Sequence, residues 1–167
     1  MADDTTIHDA LAGLRNADAA TRAAAAEAIC HAGDAASLAA VPLVHACGDP
    51  DERVREWAVA ALEDLGTPSA TTIPSLMTIA AAAQPLAAYW AITLLGRSGE
   101  AAAAAVPVLG TCLASDDTAV AQRAAWALGK VGPASLAVRD ELKAAATSTD
   151  PRLAAVATAT LATLGGI

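Results

Sequence analysis

A period of thirty-three residues runs through almost the whole of this 167-residue chain. It is marked by five glycines, each thirty-three residues after the last: Gly33, Gly66, Gly99, Gly132 and Gly165. Fifteen residues before them stand Asp18, Asp51, Gln84, Asp117 and Asp150, and four residues before them stand Ile29, Leu62, Leu95, Leu128 and Leu161. Repetition of this length indicates an array of small units, none of which can bury its apolar face alone. We therefore expect five units that stack on one another.

Each unit is expected to form two helices. The prolines at 42, 74 and 107 fit the first turn of the first helix, because their missing N–H would have no partner there. The periodic Asp fits the N-cap of the second helix, and the periodic glycine fits the residue just past its end. In the second unit, helical spacing gives an apolar stripe of Val54, Ala58, Leu62 and Leu65.

The composition excludes several classes of protein. The chain is 55% hydrophobic but has no Phe, which favours closely packed Ala-rich helices over a β-sheet core or a disordered chain. With 10 Lys and Arg against 18 Asp and Glu, the net charge of −8 disfavours nucleic-acid binding, which needs clustered cations. The uncharged stretch from Leu65 to Gly96 is too interrupted by prolines to span a membrane. The acidic start disfavours a secretory signal, and three cysteines give no disulfide framework, so we predict a cytoplasmic protein.

The second unit resembles a known family. The stretch from Asp49 to Leu62, Asp-Pro-Asp-Glu-Arg-Val-Arg-Glu-Trp-Ala-Val-Ala-Ala-Leu, is similar to the short HEAT repeat named after phycobilin lyases. The stretch from Ala127 to Gly132 is similar to the ending of that repeat. The resemblance implies a right-handed, all-α solenoid of five two-helix HEAT-like repeats, about 1–33, 34–66, 67–99, 100–132 and 133–165. Together they make one array over residues 1–167.

The same resemblance implies a ladder of charge pairs between adjacent repeats. Its Asp and Arg positions are matched in the first two repeats by Asp18 with Arg22 and by Asp51 with Arg55. In the last three repeats alanine replaces the Arg, at positions 88, 121 and 154. We therefore expect a partial ladder, with the C-terminal half held together by apolar packing.

Residues suited to catalysis are few. Members of the family with iron-dependent hydroxylase activity carry repeated His-Glu pairs, and this sequence has none. Cys30-His31 and His45-x-Cys47 could gather around a metal, but side chains two residues apart on a helix face different ways. The simpler interpretation is exposed His and half-buried Cys, with Cys112 in the core. We predict a non-enzyme without metal or cofactor.

All four aromatic residues fall on second helices: Trp57, Tyr89, Trp90 and Trp126. At 100° per residue Tyr89 and Trp126 point away from the core, where large aromatics favour partner binding. Trp57 and Trp90 lie on the flank, and for these two packing is the favoured alternative. The outward face also carries Leu86, Thr93 and Gly96 in the third repeat and Glu27, Glu56 and Glu63 in the first two. For the three Glu, a solvated helix face is an equally good interpretation.

These observations predict a protein-interaction scaffold that binds a protein or peptide on the concave face of the second helices. One alternative is a subunit of a lyase that handles bilins or another cofactor, which the repeat type suggests. Another is recognition of DNA lesions, which the charge opposes. Self-association through the apolar fifth repeat is a further possibility, unless the charges of the first helix of that repeat, residues 139–143, cap the array.

Overall fold

The computed structural model describes residues 4–82 and 84–165, and these residues form helices with no β-strand. This part of the chain contains ten α-helices: α1 (Asp4–Gly13), α2 (Ala19–Cys30), α3 (Ala40–Ala46), α4 (Glu52–Asp64), α5 (Ile73–Ala80), α6 (Pro85–Arg97), α7 (Val106–Cys112), α8 (Thr118–Val131), α9 (Arg139–Ala146) and α10 (Pro151–Gly165). The odd-numbered helices are the first helices of the repeats and the even-numbered ones the second helices. None of these ten has the length and apolar character that crossing a bilayer requires.

The second helices begin where the period places a capping side chain. The carboxylate of Asp117 accepts hydrogen bonds from the backbone N–H groups of Ala119 and Val120 at 2.9 and 3.0 Å, which satisfies two donors that the helix leaves unpaired. The periodic residues of the other repeats cap their helices in the same way: Asp18, Asp51, Gln84 and Asp150.

The segments after the periodic glycines differ from the simple two-helix expectation. Short 3-10 helices precede four of the first helices, and those first helices have only seven or eight residues. The 3-10 helices are Gly33–Ala39, Ala70–Thr72, Gly99–Ala105 and Pro133–Val138. Gly132 ends α8 with a φ of 81°, a left-handed conformation that favours glycine. Gly165, in contrast, is the last residue of α10 itself.

The described contacts divide the chain into two compact units. Unit 1 is Met1–Thr72, with α1 to α4, and unit 2 is Ile73–Ile167, with α5 to α10. Within unit 1, α2 packs against α4, and within unit 2, α8 packs against both α6 and α10. The apolar positions of the period are fully buried in the first four repeats: Ile29, Leu62, Leu95 and Leu128. Leu161 is only half-buried, because no further helix of the described chain covers α10.

Candidate functional site

The exposed side of α8 forms the centre of the candidate site in unit 2. Arg123, Trp126 and Lys130 are three or four residues apart, so their side chains project from one side of the helix. Because α8 packs against α6 and α10, this side is flanked by Tyr89 on α6 and Val156 on α10. We call the surface formed by these five residues the second-helix face of unit 2.

A stack of one cation and two aromatic rings lies on this face. The guanidinium carbon of Arg123 is 4.5 Å from the ring centre of Tyr89 and 5.0 Å from that of Trp126. Arg123 also donates a hydrogen bond from Nη2 to the hydroxyl of Tyr89. On the next turn of α8, the Nζ of Lys130 lies 5.9 Å from the ring centre of Trp126. Cation–π attraction and the hydrogen bond therefore hold both predicted anchors in place.

The packing of Trp126 differs from the outward direction that the sequence predicts. A Cβ built on Gly96 of α6 would lie 2.4 Å from Cζ3 of Trp126 and 3.1 Å from the Cα of Ala127. Only glycine therefore lets the indole approach α6 so closely. Gly96 and Thr93, which were expected on the outward face, are both buried. The reason is that α8 covers the side of α6 that faces the next repeat, which the angular phase of a single helix does not show.

Two shallow depressions flank the indole of Trp126. One, of about 340 Å³, is lined by Tyr89, Ala119, Gln122, Arg123, Trp126 and Val156. The other, of about 390 Å³, lies beside Trp126, Lys130 and Val156 and extends along α10. Each has room for one or two partner side chains. Trp126 and Val156 border both, so they stand at the middle of the face.

The remaining two candidates on α6 have different environments. Trp90 is 7% exposed and meets the ring of Tyr89 edge to face at 5.6 Å, so it is a packing residue that a partner cannot reach. Leu86 is 36% exposed and is available for contact. The structure thus gives Trp90 the packing role and leaves Leu86 at the surface.

The acidic candidates belong to unit 1. Glu27, Glu56 and Glu63 are all exposed, on α2 and α4. Glu56 and Glu63 line an open depression of about 370 Å³ along α4, together with Glu52 and Arg55. This face offers carboxylates where the second-helix face of unit 2 offers cations and aromatic rings.

Trp57 serves the packing of unit 1. It is half-buried, and its ring meets the His31 ring edge to face at 5.7 Å. Since His31 follows α2 and Trp57 lies on α4, this contact joins two adjacent repeats. The flank position that the sequence predicts for Trp57 thus corresponds to a seam between repeats.

The charge ladder has a different acidic member from the one that the resemblance implies. Arg22 makes a two-pronged ion pair with Asp49, at 2.7 and 2.9 Å, in which both side chains are largely buried. Hydrogen bonding to Arg22 lowers the pKa of Asp49 below its usual range. Asp18 instead caps α2, and Asp51 caps α4 and pairs with Arg53 at 3.2 Å.

Within the described residues, Arg55 makes no charge pair of the expected kind. Its guanidinium donates to the backbone carbonyls of Asp49 and Pro50 at 2.8 and 2.9 Å, within its own repeat. The physical reason is the turn before α4, which brings these carbonyls to the guanidinium and turns the Asp49 carboxylate towards the preceding repeat.

A link in unit 2 was not expected from the sequence. The Nε2 of Gln122 donates to both carboxylate oxygens of Asp150 at 3.2 Å, which joins the fourth and fifth repeats. Asp150 also caps α10, and hydrogen bonding from the Leu153 N–H contributes most to lowering its pKa. Apolar packing in this half of the chain is therefore supplemented by a polar contact next to Ala121, where the family has Arg.

The two units divide the charge of the protein unequally. Unit 1 contains twelve Asp and Glu against four Lys and Arg, whereas unit 2 contains six of each. The net charge of −8 is therefore the charge of unit 1. Because Arg123 and Lys130 lie beside Tyr89 and Trp126, the second-helix face of unit 2 is cationic as well as aromatic.

The His and Cys side chains that the sequence offers as metal ligands or reactive thiols lie within the described residues. Within residues 4–82 and 84–165, no three His, Cys, Asp or Glu side chains are grouped closely enough to hold a metal ion. Burial raises the pKa of Cys47 to about 12, so its thiol stays protonated at neutral pH. Cys112 borders an apolar hollow of about 460 Å³ in unit 2 and donates from Sγ to the carbonyl of Ala80 at 3.5 Å. That hollow is larger than the depressions beside Trp126 but offers a ligand mainly apolar contact.

Comparison with known families identifies the repeat. The family model for HEAT repeats matches residues 7–84 and 73–162. The chain belongs to the HEAT repeat family. Its fold is accordingly an all-α solenoid of HEAT-like repeats, as the resemblance of the second repeat implied. No curated protein sequence matches the chain.

Solved structures of similar fold include designed and natural repeat proteins. An engineered protein is 20% identical with a TM-score of 0.65, over 96% of this chain and 79% of its own. A designed armadillo repeat protein is 17% identical with a TM-score of 0.62, over 95% and 82%. The complex of CpcE and CpcF of phycocyanin lyase from Nostoc sp. PCC7120 is 16% identical with a TM-score of 0.63, over 95% and 99%. At such low sequence identities, these comparisons show that the chain and the three structures have the same fold and nothing more.

Proposed function

We propose that this HEAT-repeat protein is a non-catalytic scaffold that binds a protein or peptide on the second-helix face of unit 2. The observation that carries the proposal is the aromatic cluster of Tyr89 and Trp126, held by Arg123 between two depressions that partner side chains can fill. Aromatic and Arg side chains in such settings carry much of the binding energy at protein interfaces. HEAT and armadillo-like repeats are built to present extended surfaces of this kind.

The test separates this face from the rest of the surface with a matched pair of variants. Peptides are selected from a random displayed library and their affinities are measured for wild type, Val156→Glu and Ala155→Glu. Val156 borders both depressions, whereas Ala155 is exposed beside it on α10 and lines neither depression. Both variants place the same side chain in the same helix turn, so their net charge is matched, and the loss of helix propensity falls on the control Ala155→Glu.

We expect Val156→Glu to weaken binding at least about tenfold and Ala155→Glu to leave it unchanged. Circular dichroism melts check that both variants stay folded. If no selected peptide distinguishes the two variants, the second-helix face is not the binding surface and the proposal fails.

The alternative role is a chromophore-handling subunit, which the likeness in fold to phycocyanin lyase supports. It predicts that the protein binds a bilin and changes the bilin's visible absorption spectrum. A scaffold of the kind proposed leaves that spectrum unchanged. Binding to nucleic acid is disfavoured by the net charge of −8, and we expect the protein to pass through a heparin column at low salt.

A further inference from the structure

The cations of the second-helix face of unit 2 have no counter-charge on their own helices. The helices α6, α8 and α10 contain no Asp or Glu at all. They contain four cationic residues: Arg97, Arg123, Lys130 and Arg152. In the part of the chain that the structure describes, the ion pairs do not include Arg123 or Lys130. Among the described residues, the two cations that contact Trp126 therefore have no carboxylate paired with them.

The guanidinium of Arg123 is already oriented for such an anion. Its contacts with the rings of Tyr89 and Trp126 hold it in place, and among the described residues its one hydrogen-bond acceptor is the Tyr89 hydroxyl. A guanidinium has five N–H donors in a rigid fork that matches the two oxygens of a carboxylate. Most of the donors stay available next to the depression of about 340 Å³. Little side-chain entropy remains to be lost when a carboxylate binds.

The apolar part of the same face selects against a free small anion. Trp126 and Val156 line both depressions, and the second depression continues along Ala159 and Thr163 of α10. A ligand that contacts Arg123 through a carboxylate would place neighbouring groups against these apolar side chains. An acidic peptide with interspersed apolar residues has this chemistry.

A nucleic acid satisfies the observations less well. The ring faces of Tyr89 and Trp126 that base stacking would use are partly occupied by the chain's own Arg123 and Lys130. Unit 2 as a whole is neutral, with six acidic and six basic residues, so it lacks the excess of cations that follows a phosphate backbone. A peptide carboxylate needs only one or two cations at a defined place.

We infer that the second-helix face of unit 2 binds acidic peptide segments, with an Asp or Glu carboxylate on the Arg123 guanidinium and an apolar side chain against Trp126 and Val156. The inference rests on the proposed function, since it names the chemistry of the partner for that same face. Lys130, whose Nζ lies 5.9 Å from the ring centre of Trp126, adds electrostatic attraction, and charge complementarity of this kind also speeds association.

The experiment uses peptides from the random library that lose affinity with Val156→Glu but not with Ala155→Glu. We expect these peptides to be enriched in Asp and Glu. For each, the acidic residues are changed to Asn or Gln one at a time, and binding is measured to wild type, Arg123→Gln and Arg139→Gln. Arg139 is exposed on α9, the first helix of the fifth repeat. The control variant Arg139→Gln therefore removes one positive charge from the same unit as Arg123→Gln does.

We expect Arg123→Gln to weaken peptide binding at least about tenfold and to reduce the dependence of binding on salt concentration. In Arg123→Gln, one of the acidic residues of the peptide should no longer contribute to affinity. Arg139→Gln should change peptide binding little. If the peptides depend on Val156 but are not acidic, or bind Arg123→Gln as well as wild type, the inference fails and the proposed function stands. If no peptide depends on Val156, the proposed function itself fails.

Two further measurements exclude other occupants. Labelled oligothymidylate that binds wild type more tightly than the peptides, in an Arg123-dependent way, would overturn the peptide assignment in favour of nucleic acid. Sedimentation of the protein alone addresses a second copy, whose acidic unit 1 could supply the carboxylate. A dimer that Arg123→Gln dissociates would overturn the assignment to a separate partner, whereas a monomer supports it.

Discussion

The position of Trp126 against α6 leads to a prediction about Gly96. A glycine inside a helix makes the helix less stable than an alanine would, by about 0.8–1 kcal/mol. Gly96→Ala should therefore stabilise α6 taken alone. In the folded protein, however, the added Cβ would lie 2.4 Å from Cζ3 and 3.0 Å from Cε3 of Trp126. It would also lie 3.1 Å from the Cα of Ala127 in the neighbouring helix. The indole must therefore move before the alanine fits.

The two effects have opposite signs, and their sizes decide the outcome. Overpacking a close contact costs about 1–3 kcal/mol, so the net effect in wild type is a destabilisation of about 0–2 kcal/mol. In a Trp126→Ala background the two ring contacts are gone and only the contact with Ala127 remains. There we expect Gly96→Ala to be neutral or to stabilise the protein by up to about 1 kcal/mol. The double-mutant cycle should give a coupling of about 1–2 kcal/mol.

The assay is urea-induced unfolding followed by circular dichroism for wild type, the two single variants and the double variant. Trp126→Ala alone should destabilise the protein by about 1–3 kcal/mol, because the indole is partly buried over Gly96. If Gly96→Ala stabilises wild type and the Trp126→Ala protein equally, the indole does not lie on Gly96 and the described geometry of the site is wrong.

Three further predictions concern the core, the ladder and the thiols. Leu128→Ala should cost about 2–5 kcal/mol and Leu161→Ala clearly less, because Leu128 is fully buried and Leu161 is not; equal losses on urea unfolding would contradict this. The lowered pKa of Asp49 gives stability that is complete above the ordinary Asp pKa of about 3.9 and is lost as the pH falls through the lower folded value. The free energy of unfolding should therefore fall less between neutral and acid pH in Arg22→Gln than in wild type. If the free energy of unfolding depends on pH in the same way in both proteins, the pairing of Arg22 with Asp49 is refuted. Cys47, with its pKa raised to about 12, should react with a thiol reagent at mildly alkaline pH far more slowly in the folded protein than in urea; equal rates would contradict its burial.

The parts of the fold that repeat could be predicted from the sequence. The capping role of Asp117 and the burial of Leu62 and Leu95 follow from local rules that apply once in every period. The same rules give the helical class without any knowledge of long-range contacts. The sequence does not reveal the 3-10 helices, because the segments after the periodic glycines carry no pattern that separates them from an α-helix.

The site depended on contacts between repeats, and these were only partly predictable. Tyr89 and Trp126 could be selected from their helical phase, but Thr93 and Gly96 have a similar phase and are covered by α8. The sequence does not single out Arg123, because an isolated Arg on a helix is usually solvated. Its position three residues before Trp126 was the available indication.

The acidic partner in the charge ladder could not be predicted from the repeat pattern either. The Arg22 position was predicted from the resemblance, but its acidic partner is Asp49, in the turn before the periodic Asp51. Which carboxylate reaches the guanidinium depends on the conformation of that turn. The repeat pattern does not specify this conformation.

The central claim is that a partner binds on the second-helix face of unit 2, and the indole N–H signals test it most directly. Each of the three Trp residues contributes one indole N–H signal to a nitrogen–proton correlation spectrum, and Trp→Phe variants assign these signals. When a selected acidic peptide is titrated in, we predict that the signal of Trp126 shifts to saturation, while that of Trp57 in unit 1 stays in place. A saturated complex in which Trp126 does not move, or in which Trp57 moves instead, would contradict the account.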